Sequence, residues 1–333
     1  MAKNTNLHSA KRAKNDEFYT RLEDVEAELQ HYPNAFRGKV VYLNCDDERS
    51  AFWEYFSQHF TVLGLNELVA TKYPEGLLFR LKSAGGAVEV VELEGDGDFR
   101  SPECVELLKR SDIVVTNPPF SLFREYIGQL MEYGKKFLVI GNMIAIIYKE
   151  VWPYIQEGDL WLGVQSPKRF IVGDTMPDKA GQTLNQSGER EQAFGNILWF
   201  TNLDHYWRHQ PIPLAKTYTS EEFPNYDNYD AIEVSKVKDI PADYDGVMGV
   251  PITFLGKWNP DQFEILGISG SGCVYNQFKL APGMSARFVE DYFAGGGTGH
   301  YCQGNPNAGL YKNGAAKIVY TRIFIRRRQF DRV

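Results

Sequence analysis

The chain has 333 residues, with 36 Lys and Arg against 43 Asp and Glu for a net charge of −7, and 43% hydrophobic and 24% charged residues. This is the composition of a soluble globular protein with room for one large α/β domain and a smaller region, and its overall acidity excludes nucleic-acid binding through total charge alone. Four cysteines (Cys45, Cys104, Cys273, Cys302) form no Cys-x-x-Cys pair and have no His at ligand spacing. That excludes a zinc site or disulfide framework and points to a reducing cytoplasm, with no metal.

The first 15 residues, "MAKNTNLHSAKRAKN", carry Lys3, Lys11, Arg12 and Lys14 with no acid before Asp16 and no apolar core of a signal peptide. They read either as a solvated basic arm or as a phosphate-binding one. "DEFYTRLEDVEAELQHY" (16–32) predicts a short extended entry and then a helix that Pro33 ends. "KVVYLNC" predicts a buried strand running into the polar loop "NCDDERS", followed by a helix over 50–60. Further strands are expected at 67–73, 87–95, 112–116 and 136–142, with helices at 101–111 (Ser101 as N-cap, Pro102 at the first position) and 121–134. The longest apolar run, "FLVIGNMIAIIY" (137–148), is too short to span a bilayer.

Nearly all-apolar strands alternating with helices predict an α/β fold with a mainly parallel sheet covered on both faces. Ligands of such sheets sit beyond the carboxyl ends of the strands, which selects the loops "NCDDERS", "GDGDFRS", "NPPFSLF" and "GNMIAI". Beyond residue 160 the pattern loosens into short strands, among them "LWLGV", "RFIVG", "NILWFTNL" and "PITFL", separated by polar and Gly-rich stretches. The tail "YTRIFIRRRQFDRV" concentrates Arg322, Arg326, Arg327, Arg328 and Arg332, a second candidate phosphate-binding cluster.

Four residues at the end of the fourth strand suggest the chemistry. The Asn117 side-chain oxygen can accept a hydrogen bond, and Pro118 and Pro119 fix φ and remove two backbone donors. The Asn117 oxygen and the Pro118 carbonyl together suit the two hydrogens of an –NH₂ group, and Phe120 supplies a flat face for a planar ring.

"NPPF" resembles the catalytic motif of S-adenosylmethionine-dependent methyltransferases that modify exocyclic amino nitrogens. The longer strings "DEFYT", "VVYLNCDD", "GDGDFRS", "SDIVVTNPPFSLFREY", "YDNYDAIEV" and "GVMGVPITFL" resemble the EcoRI-type modification methylases, which are DNA adenine-N6 methyltransferases. The likeness runs from about residue 10 to 268, and more weakly over 310–328.

This resemblance implies a Rossmann-like methyltransferase sheet with helices on both faces, followed by a loop-rich target-recognition region. It divides the chain into a basic arm (1–15), a catalytic domain (16–204) and a recognition region (205–333). It places Phe18, Tyr19 and Thr20 against the methionine part of the cofactor, and Asn44, Cys45 and Asp46 in the loop under it. Asp98 would hold the cofactor's adenine amino group with Phe99 against its ring, and Asn117, Pro118, Pro119 and Phe120 would hold the target adenine. A second aromatic should cover the other face of a flipped base; Phe170 is the candidate, or else an ordinary strand phenylalanine.

The implied partner is double-stranded DNA, with GAATTC as the expected site. Lys11, Arg12, Lys14 and Arg326–Arg328 would lie on phosphates, and Arg208, Lys216, Asn225 and Asn228 are candidate base readers. A monomer suffices, and a cognate restriction endonuclease would act separately. The remaining readings are an RNA-adenine or protein-glutamine methyltransferase, or a catalytically silent DNA-binding protein on the same fold. The first loop has no Gly-x-Gly, and "LVATKY" ends without an acidic residue for the ribose hydroxyls, although Glu75 is near.

Overall fold

The computed structural model describes residues 18–172, 181–185, 187–270 and 282–328. Lys11, Arg12, Lys14 and Cys273 lie outside them. The chain forms two compact units, Met1–Ala145 with Trp161–His205, and Ile146–Leu160 with Tyr206–Val333. The segment 146–160 thus belongs with the second unit, which a single division at 204/205 does not anticipate.

The first unit opens with β1 (Phe18–Thr20) and α1 (Leu22–Leu29), which buries Val25, Glu28 and Leu29. β2 (Val40–Leu43) leads to α2 (Ala51–Gln58), whose N-cap Ser50 hydroxyl accepts the Trp53 N–H at 3.1 Å, and to the single turn α3 (Phe60–Leu63). β3 (Glu67–Lys72), β4 (Leu77–Leu81) and β5 (Glu89–Glu92) follow. α4 (Pro102–Arg110) starts at the expected Ser101 cap with Pro102 at its first position. β6 (Ile113–Thr116), α5 (Phe123–Glu132) and β7 (Lys136–Asn142) complete the run. After α6 (Trp152–Glu157), which belongs to the second unit, come β8 (Trp161–Leu162), β9 (Arg169–Val172), β10 (Gln182–Leu184), β11 (Arg190–Ala193) and β12 (Ile197–Thr201).

Eight of these strands form one sheet in the order β5-β4-β3-β2-β6-β7-β12-β8. Its centre, β3-β2-β6-β7, is parallel, whereas β4, β5, β12 and β8 pair antiparallel. The sheet is therefore mixed, and the mainly parallel sheet expected from sequence describes only its centre. The reason is physical: both kinds of buried strand need the same apolar residues, and only the connection length separates a hairpin from a crossover. All four residues of β6 are buried, and Leu43, Val115, Leu138, Ile140 and Trp199 share one core with the inner face of α2. A second, antiparallel sheet has the order β1-β9-β11-β10.

The second unit holds β13 (Ile232–Glu233), β14 (Met248–Pro251), β15 (Phe263–Ile268), α7 (Ala286–Ala294), β16 (Gly309–Lys312), β17 (Ala315–Ile318) and β18 (Arg322–Arg327). Its sheet runs β13-β14-β18-β15, and β16 and β17 form a separate hairpin. "PITFL" is not a strand: β14 stops at Pro251, and Ile252–Lys257 is a 3₁₀ segment that Pro251 opens. Arg322 makes a bidentate pair with buried Glu233 at 3.0 and 2.8 Å, which the Tyr226 hydroxyl also contacts. No helix among the described residues is long and apolar enough to cross a membrane.

Two predictions test these buried charges. Arg322→Ala leaves Glu233 uncompensated and should cost about 3–5 kcal/mol, measured by urea unfolding. Glu28 accepts hydrogen bonds from Val164 N at 2.9 Å, Gln165 N at 2.6 Å and the Tyr32 hydroxyl at 2.7 Å. Burial nevertheless pushes its carboxyl up to about 7, outweighing those bonds. A raised folded value means stability that is complete below the unfolded value and lost as pH rises through about 7. Relative to Glu28→Gln, the wild-type chain should therefore lose up to roughly 3 kcal/mol between about pH 4.5 and about pH 8. A difference independent of pH would contradict this.

Candidate active site at the ends of two parallel strands

β2 and β6 are parallel neighbours, with Val41 opposite Ile113 and Tyr42 opposite Val114. Their carboxyl ends therefore emerge side by side, one carrying Asn44–Asp46 and the other Asn117–Phe120. The two loops are tied together: Asp46 Oδ2 accepts the Asn117 backbone N–H at 2.9 Å and the Thr116 hydroxyl. Burial pushes the Asp46 carboxyl up to about 7, although both of these bonds favour the anion. Asn44 is buried, and its side-chain oxygen accepts from the Tyr126 hydroxyl on α5. Burial also holds the neighbouring Cys45 thiol well above its usual range, which keeps it protonated.

Asn117 is fixed at a second point. Its Nδ2 donates to the Phe18 carbonyl of β1 at 2.7 Å, which settles which end of the amide is nitrogen. The Oδ1 end accepts from no group among the described residues, and neither does the Pro118 carbonyl. Two adjacent acceptors thus stand ready for donors that the protein itself does not supply. Phe120 opens the 3₁₀ turn Phe120–Leu122 and lies nearly parallel to Phe18, with ring centroids 6.3 Å apart and 21° between planes.

The "GDGDF" loop reaches the same neighbourhood through Phe99, which is buried and packs edge-on against Tyr126 at 5.1 Å. Gly97 is required there: its φ is +83°, and an added Cβ would lie 2.7 Å from the Lys72 carbonyl. The Asp98 carboxylate is gripped by Arg100, through Nε at 2.8 Å, Nη2 at 2.6 Å and the backbone N–H at 2.9 Å. Burial alone would raise its pKa, but the Arg100 hydrogen bonds and charge outweigh burial and lower it, so Asp98 stays ionised.

Tyr19, Thr20 and Asp46 line a cavity of about 1100 Å³ together with Arg21, Arg49 and Ser50. Asn117, Asp98 and Phe120 lie outside that wall. The buried polar atoms without a hydrogen-bond partner beside these loops include the Thr20 hydroxyl and Asn44 Nδ2. Orphaned donors of this kind fit a polar ligand such as an amino-acid carboxylate. Hydrogen bonds and ring contacts thus join Asp46, Asn117, Phe18 and Phe120 in one group, and Asn44 and Phe99 through Tyr126 in a second. Among the described residues no cluster of His, Cys, Asp and Glu could hold a metal ion.

Other expected positions fall elsewhere. Phe170 has 0% exposure and packs against Phe18 at 6.5 Å and Phe194 at 5.7 Å, so no ring face is open to a stacked base. Arg326, Arg327 and Arg328 do not form one cationic patch, because strand alternation sends Arg327 to the opposite face from its neighbours. Arg326 is paired with Glu264 and Arg327 with Asp245, each at 2.6 Å, and Arg328 donates to the Pro260 carbonyl at 2.7 Å. Asn228 is also committed to structure: its amide nitrogen serves the Pro282 and Asn307 carbonyls and its oxygen accepts Gly309 N–H. Lys216 pairs with Glu222, and Arg208 lies 5.7 Å from the Trp258 ring centroid.

The hairpin β16–β17 was not read from sequence, although Asn313 (φ 53°) and Gly314 (φ 77°) form its turn and Asn-Gly is a strong hairpin signal. Lys312, Lys317 and Tyr320 are exposed on and beside it, and residues 309–328 contain no acid.

A large mixed α/β sheet with Asn-Pro-Pro-Phe at the end of a parallel strand has the form of a methyltransferase. Comparison with known proteins identifies the family. The family described as adenine-specific methyltransferase EcoRI matches residues 6–83 and 79–328. The chain is 48% identical over 292 residues to the type II methyltransferase M.EcoRI of Escherichia coli, covering 80% of this chain and 89% of that protein. It is 44% identical over 269 residues to M.MpnI of Mycoplasma pneumoniae (78% and 84% covered) and 33% identical over 333 residues to M.MgeORF184P of Mycoplasma genitalium (97% and 99% covered). The chain belongs to the EcoRI adenine-specific methyltransferase family and is a site-specific DNA methyltransferase.

The orphaned Thr20 hydroxyl gives a direct test of the site. Thr20→Val removes an unsatisfied buried group, so the free protein should be unchanged or stabilised by up to about 1 kcal/mol in thermal or urea unfolding. A loss well above that would show that the hydroxyl has a structural partner.

Proposed function

We propose that this protein transfers a methyl group from S-adenosylmethionine to N6 of an adenine turned out of duplex DNA, within GAATTC or a related site. The observation that carries this reading is the Asn117 amide, held by its nitrogen on the Phe18 carbonyl so that Oδ1 stands free beside the free Pro118 carbonyl. An exocyclic –NH₂ has two hydrogens to give and no lone pair to spare, because that pair is delocalised into the ring. Oδ1 and the Pro118 carbonyl take one hydrogen each, draw the nitrogen toward tetrahedral geometry and localise the lone pair on it. Their contribution is positioning and fixed dipoles. Phe120 covers one face of the base. The proton released afterwards goes to water, since Asn117 cannot act as a base.

When bound, S-adenosylmethionine supplies an electrophilic methyl group on a sulfonium centre. Thr20 and Asn44, with their orphaned polar atoms, would hold its methionine part together with Phe18, Tyr19, Cys45 and Asp46. Asp98, kept ionised by Arg100, would accept from its adenine amino group, with Phe99 against that ring. On this reading the first unit is a Rossmann-like catalytic domain and residues 205–333 supply target recognition. Among the described residues there, the hairpin β16–β17, exposed toward its turn, has the two-stranded form that a major groove admits. Lys11, Arg12 and Lys14 would add salt-dependent phosphate contacts. One chain suffices, because each event modifies one strand, and a cognate endonuclease would act as a separate protein.

The test uses purified protein, S-adenosylmethionine and duplexes with and without GAATTC, digested to nucleosides for mass spectrometry. N6-methyladenine in the GAATTC duplex alone is expected, with Phe120→Ala slowed by roughly 10- to 100-fold. Methyl groups on cytosine, or none on any DNA, would overturn the reading. Methylation of RNA alone would do the same.

A further inference from the structure

We propose that Asp46 is a positioning residue that sets the reactive orientation of Asn117, beyond any contact that it makes with the cofactor. The proposal rests on the methyl-transfer reading above. Three connections define the aim of the Asn117 amide. Its backbone N–H is held by Asp46 Oδ2 at 2.9 Å, its side-chain nitrogen is held by the Phe18 carbonyl at 2.7 Å, and Pro118 fixes the next φ.

The same Asp46 oxygen takes the hydroxyl of Thr116, the fully buried last residue of β6. One carboxylate oxygen therefore ties the first residue of the catalytic loop to the end of its own strand. It does so from the loop of the neighbouring strand, across 71 residues of sequence. Among the described residues, no other acidic side chain is hydrogen-bonded to residues 116–120.

Without this acceptor, both the Asn117 N–H and the Thr116 hydroxyl would lose their partner. The loop could then rotate about the Phe18 bond, and Oδ1 would move off the amino hydrogen it accepts. Displacements of about 1 Å in such geometry can cost on the order of 100-fold in rate. Asparagine at position 46 could preserve the arrangement. Its single amide oxygen can take the place of Oδ2 and accept both the Asn117 N–H and the Thr116 hydroxyl. A role that needs the negative charge, such as pairing with a cofactor ammonium, would be lost in Asn and Ala alike. The pair of variants therefore separates the two roles.

The experiment measures single-turnover methyl transfer at saturating cofactor and duplex for the full chain, Asp46→Ala, Asp46→Asn and Thr116→Val, with cofactor affinity and melting temperature measured in parallel. Asp46→Ala should slow the step by about 10- to 100-fold. At saturating cofactor Asp46→Asn should recover to within about 5-fold of wild type, and Thr116→Val should slow the step by a few-fold.

A wild-type rate in Asp46→Ala would overturn the proposal, as would an Asn variant as slow as Ala. If Asp46→Ala fails to fold, the other two variants decide, and wild-type rate in Thr116→Val together with a slow Asp46→Asn would overturn it. No methylation by the wild-type chain would remove the underlying reading and the proposal with it.

Discussion

Val41 lies opposite Ile113 and Tyr42 opposite Val114 in a parallel pair, so β2 and β6 leave the sheet in the same direction with their next residues within hydrogen-bonding reach. Parallel pairing is what allows this, since an antiparallel pair would place the two loops at opposite ends of the sheet. It lets Asp46 hold the backbone of Asn117 and lets β1, packed on β9 rather than in the main sheet, offer the Phe18 carbonyl to the same amide. The result is a short polar side chain held at several points on rigid elements, with its oxygen unspent. On the proposed reading such preorganisation outweighs acid–base chemistry, because an exocyclic amino group needs acceptors in the right place rather than a proton shuttle.

Charge in the second unit is used in a different way. Arg322 and Glu233 form a buried pair inside its sheet, and the arginines that follow are neutralised one by one by Glu264 and Asp245. A cluster of basic letters in the sequence has become, in the fold, a set of local tethers holding β18 between β14 and β15. The exposed cations that remain on the nearby hairpin, Lys312 and Lys317, are carried by a stretch with no acid to quench them. Charge density along the chain is therefore a poor guide to charge density on the surface.

The parts of the fold that could be read from sequence were those with a local cause. β2, β6 and β7 are unbroken apolar runs ending in polar residues, and α4 carries both its Ser101 cap and Pro102. The candidate site was chosen on the same ground, because strand-end loops of parallel strands are few and "NPPF" fills one of them. The parts that were missed depend on distant partners. β4 was not read from sequence and is defined by its pairing with β3, and β18 joins β14 and β15 across 77 and 64 residues of sequence, Met248 lying opposite Ile325 and Phe263 opposite Arg327. The same limit explains Phe170, whose place on β9 is legible but whose burial between Phe18 and Phe194 depends on β1 and β11. Asp46 was legible as a loop residue, but its bond to Asn117 was not.

The central proposal is that the free oxygen of Asn117 accepts a hydrogen of the target amino group and so enables adenine methylation at one DNA site. Long-read sequencing of DNA from cells expressing this protein or its Asn117→Ala variant tests it most directly. The account predicts N6-methyladenine in one recurring motif with the wild-type chain and its absence with the variant at equal levels of folded protein. The same motif methylated equally by the variant, or no methylated motif from the folded wild-type chain, would contradict it.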